Sequence, residues 1–222
     1  MNMILESQQD KARSKLLKKL ISSVMKDGFQ HLRMDDIAKH MFVSRATMYK
    51  YFSSKEEVIE GVVRIFIDYL EKMEDRTKED DEKWFGIWFQ KLFEQSVNLV
   101  GKITDVFLKD LQSVYPDLYD NLKSVLNKRE KMTLEFYQEG KEKGIFNMIN
   151  EKFILLQDDM LLREIIDAKY LLFNQMSIEQ VLSDYYQLKK IQLFKAEKLS
   201  TVDDSNMKPI IEHLVEKFNR TL

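Results

Sequence analysis

Two prolines and six glycines in 222 residues leave this chain very little with which to interrupt a helix. Helix formers such as Lys, Glu, Leu and Met are abundant, and no run sustains the period-2 alternation of a strand. The chain therefore reads as all-α, with about nine to ten helices. A first helix is expected from about Gln9 to Lys26, where Ala12, Leu16, Leu17, Leu20, Ile21, Val24 and Met25 recur at a 3.6-residue period. Asp27-Gly28 ends it, because glycine tolerates the left-handed cap. A short second helix follows at about Met34–Met41, with Ile37, Ala38 and Met41 inward, then a three-residue turn, Phe42-Val43-Ser44. The third helix runs from about Arg45 to Phe52 with Ser44 as N-cap, and Ser54-Lys55-Glu56-Glu57 is a capping box that opens a fourth, reaching about Glu74. The charged run from Glu74 to Lys83 reads as a surface connection. Six further helical segments are expected at about Lys83–Val100, Lys102–Val114, Pro116–Lys143, Glu151–Asn174, Ile178–Glu197 and Met207–Arg220. Pro116 suits a helix start and Gly144 a helix end.

Several chemistries are excluded or unsupported. There is no cysteine, hence no disulfide, thiol nucleophile, iron–sulfur cluster or cysteine-ligated zinc. The first 30 residues carry charge throughout and lack the apolar segment of a signal peptide. No stretch approaches the roughly 20 apolar residues of a membrane span. A cytoplasmic location with no membrane partner is the expectation. The histidines are His31, His40 and His213; none follows a glutamate by three residues, and there is no His-Glu-x-x-His or glycine-rich phosphate loop. No metal or cofactor is expected. A Ser/His/Asp triad is not excluded by sequence, but nothing points to one, and the chain does not read as an enzyme. Net charge is −2, distributed unevenly: residues 1–60 carry +3 and the remainder −5. A basic end on an acidic body fits a nucleic-acid-reading module joined to something else, although the asymmetry is modest.

Residues 33–52, RMDDIAKHMFVSRATMYKYF, concentrate the functional signal. Two short helices joined by three residues must cross. Ala38 permits close approach, and Ile37, Val43, Met48 and Phe52 can share one small core with the first helix. Arg45, Thr47, Tyr49 and Lys50 are then left facing outward on the third helix. A DNA major groove accepts one α-helix, whose N-terminal part meets base edges. A plain helical hairpin with a polar surface would have the same pattern.

The run from Leu20 to Ile59 resembles the TetR family of bacterial regulators. The resemblance rests on Gly28-Phe29, on Asp36-Ile37-Ala38, on Val43-Ser44-Arg45-Ala46-Thr47-Met48-Tyr49-Lys50-Tyr51-Phe52, and on Ser54-Lys55-Glu56-Glu57. It covers about 50 residues; beyond it only Glu139 to Gly144 offers a weak further likeness. The resemblance implies that Ser44, Arg45, Ala46, Thr47, Tyr49, Lys50 and Tyr51 lie on or beside the recognition helix. It also implies that Lys55 grips a phosphate, that Arg33 and Met34 stand where backbone-contacting threonines are usual, and that Asp35 holds a position that reads a base in some members. Chemistry divides the work. Lys55, Arg33 and the Tyr49 hydroxyl suit phosphates, whereas Arg45 and Lys50 suit direct reading of guanine. Two departures stand out. Phe42 replaces the usual turn glycine, which in a left-handed conformation costs roughly 1–2 kcal/mol, so either the turn differs in shape or burial holds the ring. Arg33 replaces a capping threonine.

On these grounds residues 1–60 are expected to form a helix-turn-helix DNA-binding domain and residues 61–222 a larger helical domain for effector binding and dimerisation. Trp84, Trp88, Phe89, Phe93, Phe107, Leu111, Tyr115, Phe136 and Tyr137 read as the lining of a pocket for a small hydrophobic effector, or else as plain core. Glu151–Asn174 is apolar on more than one face and so must bury two sides. With the next helix it suggests a four-helix homodimer interface using Leu161, Ile165, Leu172, Val181, Tyr185 and Leu188; the alternative is that both helices are buried within one chain. A twofold dimer would place two reading heads on palindromic double-stranded DNA as a repressor released by effector. An effector-independent architectural DNA-binding protein remains the second reading.

Overall fold

The computed structural model describes residues 8–71, 82–100 and 103–219. Eleven α-helices appear among them: α1 (Gln8–Asp27), α2 (Met34–His40), α3 (Arg45–Tyr49), α4 (Lys55–Glu71), α5 (Glu82–Val100), α6 (Asp105–Val114), α7 (Pro116–Glu142), α8 (Glu151–Ile165), α9 (Ala168–Phe173), α10 (Ile178–Leu193) and α11 (Met207–Asn219). Two short 3₁₀ turns, Ala196–Thr201 and Asp204–Asn206, precede α11. No strand occurs among the described residues, only one antiparallel bridge between Phe146 and Phe194. Of the expected charged connection, residues 74–81 lie outside the described residues, while Glu82 and Lys83 open α5. No described helix is long and apolar enough to cross a membrane.

The chain divides into two compact units. The first contains α1–α4, α6 and residues 116–129 of α7; the second contains α5, residues 130–142 of α7 and α8–α11. In the first, the apolar stripe of α1 buries Leu16, Leu17, Leu20, Val24 and Met25, and α4 buries seven apolar residues from Val58 to Leu70. α1 packs against α4 and α2, and α2 against α3. α2 and α3, too short to be stable alone, bury Ile37, Ala38 and Met48, with Phe52 buried just beyond α3. Ser54 Oγ accepts from the Glu57 amide, as its capping role requires, but the Glu57 carboxylate reaches back to Ser53, one residue earlier than expected.

The second unit is built around aromatic rings. The fully buried Phe146 ring lies 5.4 Å from Phe85, 5.1 Å from Phe136 and 4.8 Å from Phe194. Here the long helix expected over Glu151–Asn174 is two helices. Asp167 Oδ1 accepts from the amides of Lys169 and Tyr170 and so starts α9 afresh. A short carboxylate competing for backbone donors ends one helix and caps the next.

Candidate nucleic-acid interface

The turn between α2 and α3 is a Schellman motif. The Phe42 amide donates to Lys39 O at 2.9 Å and the Val43 amide to Ala38 O at 3.1 Å. This geometry puts Phe42 in the left-handed region, at φ +57°. The expected alternatives of a reshaped turn or a buried ring are both absent: Phe42 is 80% exposed, with the Lys19 ammonium 5.6 Å from its ring centre. Relief of left-handed strain, less the extra chain entropy of glycine, should make Phe42→Gly more stable by about 0.5–1 kcal/mol. Amide hydrogen exchange across residues 34–52 should slow accordingly; faster exchange would mean the ring contributes more than its backbone costs.

Beyond the turn, Ser44 caps α3 by accepting from the Thr47 amide at 3.1 Å, and the two hydroxyls lie 2.8 Å apart. Met48 points inward and is fully buried. Arg45, Ala46, Tyr49 and Lys50 are exposed, while Thr47 and Tyr51 are half-buried. Arg33 is exposed at the start of α2; it makes no side-chain cap, and Asp36 instead accepts from the Arg33 amide. Met34 and Asp35 are half-buried beside it. Asp35 and Arg45 are brought together as an ion pair, with Arg45 Nε 2.7 Å from Asp35 Oδ1.

The scaffold under this face is tied by polar contacts that sequence reading did not single out. Arg13 donates to Tyr51 O at 2.7 Å and to Glu57 at 2.8 Å, and its guanidinium lies 4.8 Å from the Phe52 ring centre. Donation from the Ser53 amide, then the Ser53 hydroxyl and Arg13, pulls the Glu57 carboxyl down to about 2. On the other side Asp110 accepts from the amides of Phe29 at 2.7 Å and Gln30 at 2.9 Å, clasping the α1–α2 connection to α6. Gly28, at φ +75°, lies so close that a Cβ there would fall 2.4 Å from Asp110 Oδ2. Lys55 donates to Gln30 O at 2.8 Å and sits over the Phe29 ring, and desolvation lowers its pKa. The side chain expected to grip a phosphate is thus already tied to the fold. The signal for these ties, an Arg and an Asp each remote in sequence from its partner, is invisible to periodicity.

Residues 18–62 match the family model for bacterial regulatory proteins of the tetR family, and that span encloses α2, the turn and α3. Residues 18–62 are a TetR-family DNA-binding domain. Among curated proteins the chain is similar to IcaR, the negative transcriptional regulator of the biofilm operon icaADBC in Staphylococcus aureus. The two are 21% identical over 186 residues, spanning 82% of this chain and all of IcaR. Two solved structures share its fold. One is the ketosteroid transcriptional regulator KstR2 of Mycobacterium tuberculosis (20% identity, TM-score 0.55, 83% of this chain and 95% of KstR2). The other is a protein from Saccharomonospora viridis in complex with choline (16% identity, TM-score 0.54, 83% of this chain and 98% of that one).

Outside the TetR-family domain, the nine residues considered as a pocket lining fall into two groups. Phe107, Leu111 and Tyr115 belong to the first unit, where Phe107 and Tyr115 pack on Phe29 at 5.6 and 5.9 Å. Trp84, Trp88, Phe89, Phe93, Phe136 and Tyr137 belong to the second. Of these, Phe89, Phe93 and Tyr137 border a cavity of about 20 Å³, room for one water, together with Asp158, Tyr185 and Lys189. A separate cleft of about 340 Å³ is lined by Tyr186, Asp204, Met207 and Ile211, among others. Of the six residues considered for a dimer interface, Leu172 and Leu188 are exposed and Leu161 is half-buried. Ile165, Val181 and Tyr185 are buried within their own chain, Tyr185 donating to Asp158. The apolar side chains that α8–α10 leave exposed are Phe153, Leu156, Met160, Leu172, Phe173, Leu188 and Ile191.

Proposed function

We propose that this chain is a homodimeric, sequence-specific DNA-binding repressor of the bacterial cytoplasm, with residues 1–60 as the reading head and residues 61–222 serving dimerisation and effector binding. The observation that carries the reading is the two-faced α3: Met48 anchors it in the core while Arg45, Ala46, Tyr49 and Lys50 stand exposed in a domain of a DNA-binding family. Arg45 and Lys50 read base edges, and Arg33 and the Tyr49 hydroxyl position the backbone. IcaR, to which the chain is similar, is a negative regulator of transcription.

The second copy covers the apolar side chains on α8 and α10. Phe153, Leu156 and Met160 recur at helical spacing on α8, Leu188 and Ile191 on α10. The two helices are joined by Gln192 Nε2 donating to Gln157 Oε1 at 2.7 Å and by Lys189 on Asp158. Two such helices from each chain form a four-helix interface, and its twofold axis matches a palindromic site. A small hydrophobic effector binds the second unit and weakens DNA binding; the choline complex of the Saccharomonospora viridis protein supports only that a protein of this fold takes up a small molecule. The coupling must be reciprocal, so operator DNA weakens effector binding by the same factor.

The test is selection from a random duplex library with the full chain, followed by fluorescence anisotropy on the enriched duplex at two salt concentrations. Saturable binding that falls about tenfold or more in Arg45→Ala/Tyr49→Ala, with no loss of fold, is the expected result. The salt slope then counts phosphate contacts. No enrichment, or binding indifferent to the double substitution, would overturn α3 as the reader.

A further inference from the structure

The pair that α2 and α3 form across the turn, Asp35 with Arg45, assigns a role to Asp35 that rests on the reading of α3 as the recognition helix. Arg45 is the first residue of α3 and Asp35 lies in the first turn of α2, so the contact spans the two helices of the motif. The side chains are 48% and 66% exposed, and a pair so solvated adds little to stability. What it does is fix a direction. The Asp35 carboxylate meets Arg45 through Nε. An ion pair made on the Nε side leaves both terminal nitrogens to present two parallel N–H groups in one plane. That is the donor pattern that matches O6 and N7 of guanine in the major groove. The neighbouring Asp36 has different work: it accepts from the Arg33 amide and pairs with Lys39, which stays within α2. Adjacent carboxylates therefore serve separately, Asp36 the helix end and Asp35 the reading arginine.

We propose that Asp35 is a positioning residue that holds Arg45 for bidentate reading of one guanine in each half-site, and that its charge also lowers binding to DNA lacking that guanine. An arginine already held in place loses less freedom on docking than a free one. A carboxylate facing the duplex repels phosphates whatever the sequence, and only a well-made Arg–guanine contact offsets that repulsion. Asp35 should therefore weaken non-specific binding and sharpen specific binding, a pairing of effects that a merely structural residue would not produce.

The experiment measures affinity of the full chain for the duplex enriched from a random library, for each of its single-base-pair variants and for random-sequence DNA. The proteins are wild type, Asp35→Ala, Asp35→Asn and Arg45→Ala. Arg45→Ala should abolish discrimination, about tenfold or more in the wild type, at one base pair per half-site. Asp35→Ala should cut discrimination at that same base pair severalfold and leave the others unchanged. It should also bind random DNA at least as tightly as wild type, with a steeper salt dependence. Asp35→Asn, which keeps an oxygen beside Nε without the charge, should recover part of the lost discrimination. Full discrimination in Asp35→Ala, or a loss confined to a different base pair, would overturn the proposal; the latter would make Asp35 a base reader itself. Unchanged discrimination in Arg45→Ala would instead overturn the reading of α3, which separates the two failures.

Discussion

Replacing Lys189 with alanine is expected to destabilise the second unit by about 3–5 kcal/mol, the cost of breaking a buried ion pair from one side. The Lys189 ammonium lies 2.7 Å from Asp158 Oδ1, and the two side chains are only 4% and 15% exposed. Tyr185 also donates to Asp158, and burial drives the Tyr185 hydroxyl's pKa upward. Alanine would leave the Asp158 carboxylate with that one phenol in a low-dielectric site, and would empty the space of the lysine stem beside Phe89, Phe93 and Leu162. The pair is not thereby a strong stabiliser. Desolvation lowers the pKa of Lys189 against the opposing pull of Asp158, so burial outweighs attraction. Lys189→Met combined with Asp158→Asn, which keeps an acceptor for Tyr185, should accordingly return most of the lost stability. Urea unfolding followed by tryptophan fluorescence reads this unit directly, since both tryptophans, Trp84 and Trp88, lie on α5 within it. A loss below about 1 kcal/mol in Lys189→Ala would mean that the pair behaves as a solvated one.

The second large effect is expected at Gly140, near the end of α7. In an open helix Gly→Ala gains about 1 kcal/mol of helix propensity. Here an added Cβ would fall 2.0 Å from Phe146 Cδ2 and 2.2 Å from Cε2. The ring cannot swing aside, because it is fully buried among Phe85, Phe136, Tyr137 and Phe194. Its own backbone is also held, with the Phe146 amide donating to Gly140 O at 3.0 Å and the Asn147 amide to Leu193 O at 2.8 Å. Overpacking a site with no slack costs typically 1–3 kcal/mol and here should reach the upper end, enough to reverse the propensity gain. Gly140→Ala should therefore unfold about 1–2 kcal/mol earlier than wild type by the same fluorescence measurement. Adding Phe146→Leu should restore part of the difference, because leucine removes the ring edge that the new methyl strikes. A stabilised single variant would show that the Phe146 cluster yields easily.

Local chemistry was legible wherever a signal was confined to neighbouring residues. The bounds of α1, α2 and α7, the Ser44 cap and the inward positions Ile37, Met48 and Phe52 follow from periodicity and capping, and the structure keeps them. The left-handed turn at Phe42 was expected as a cost; its exposure was not, because a bulky apolar side chain is ordinarily pulled inward. The break between α8 and α9 is hidden in the sequence by apolar character that runs from Phe153 to Phe173, whereas in the fold Asp167 outcompetes it locally by capping α9. The nine residues that read as one pocket lining do not share one unit, because Phe107, Leu111 and Tyr115 lie in the first and the other six in the second.

By itself, then, the sequence determined the all-helical class, the placement of the two short crossing helices and the chemistry available on α3. Each of these depends on residues within a few turns of one another. Only the tertiary structure decided which side chains were already spent. Lys55 is tied to Gln30, Asp35 to Arg45, Asp110 to the amides after Gly28, and Lys189 to Asp158. It also decided which apolar side chains α8–α10 leave exposed. The physical reason is range. A helix period or a cap is written in consecutive residues, but an ion pair or a packed ring depends on where the chain returns, and that is set by the whole fold.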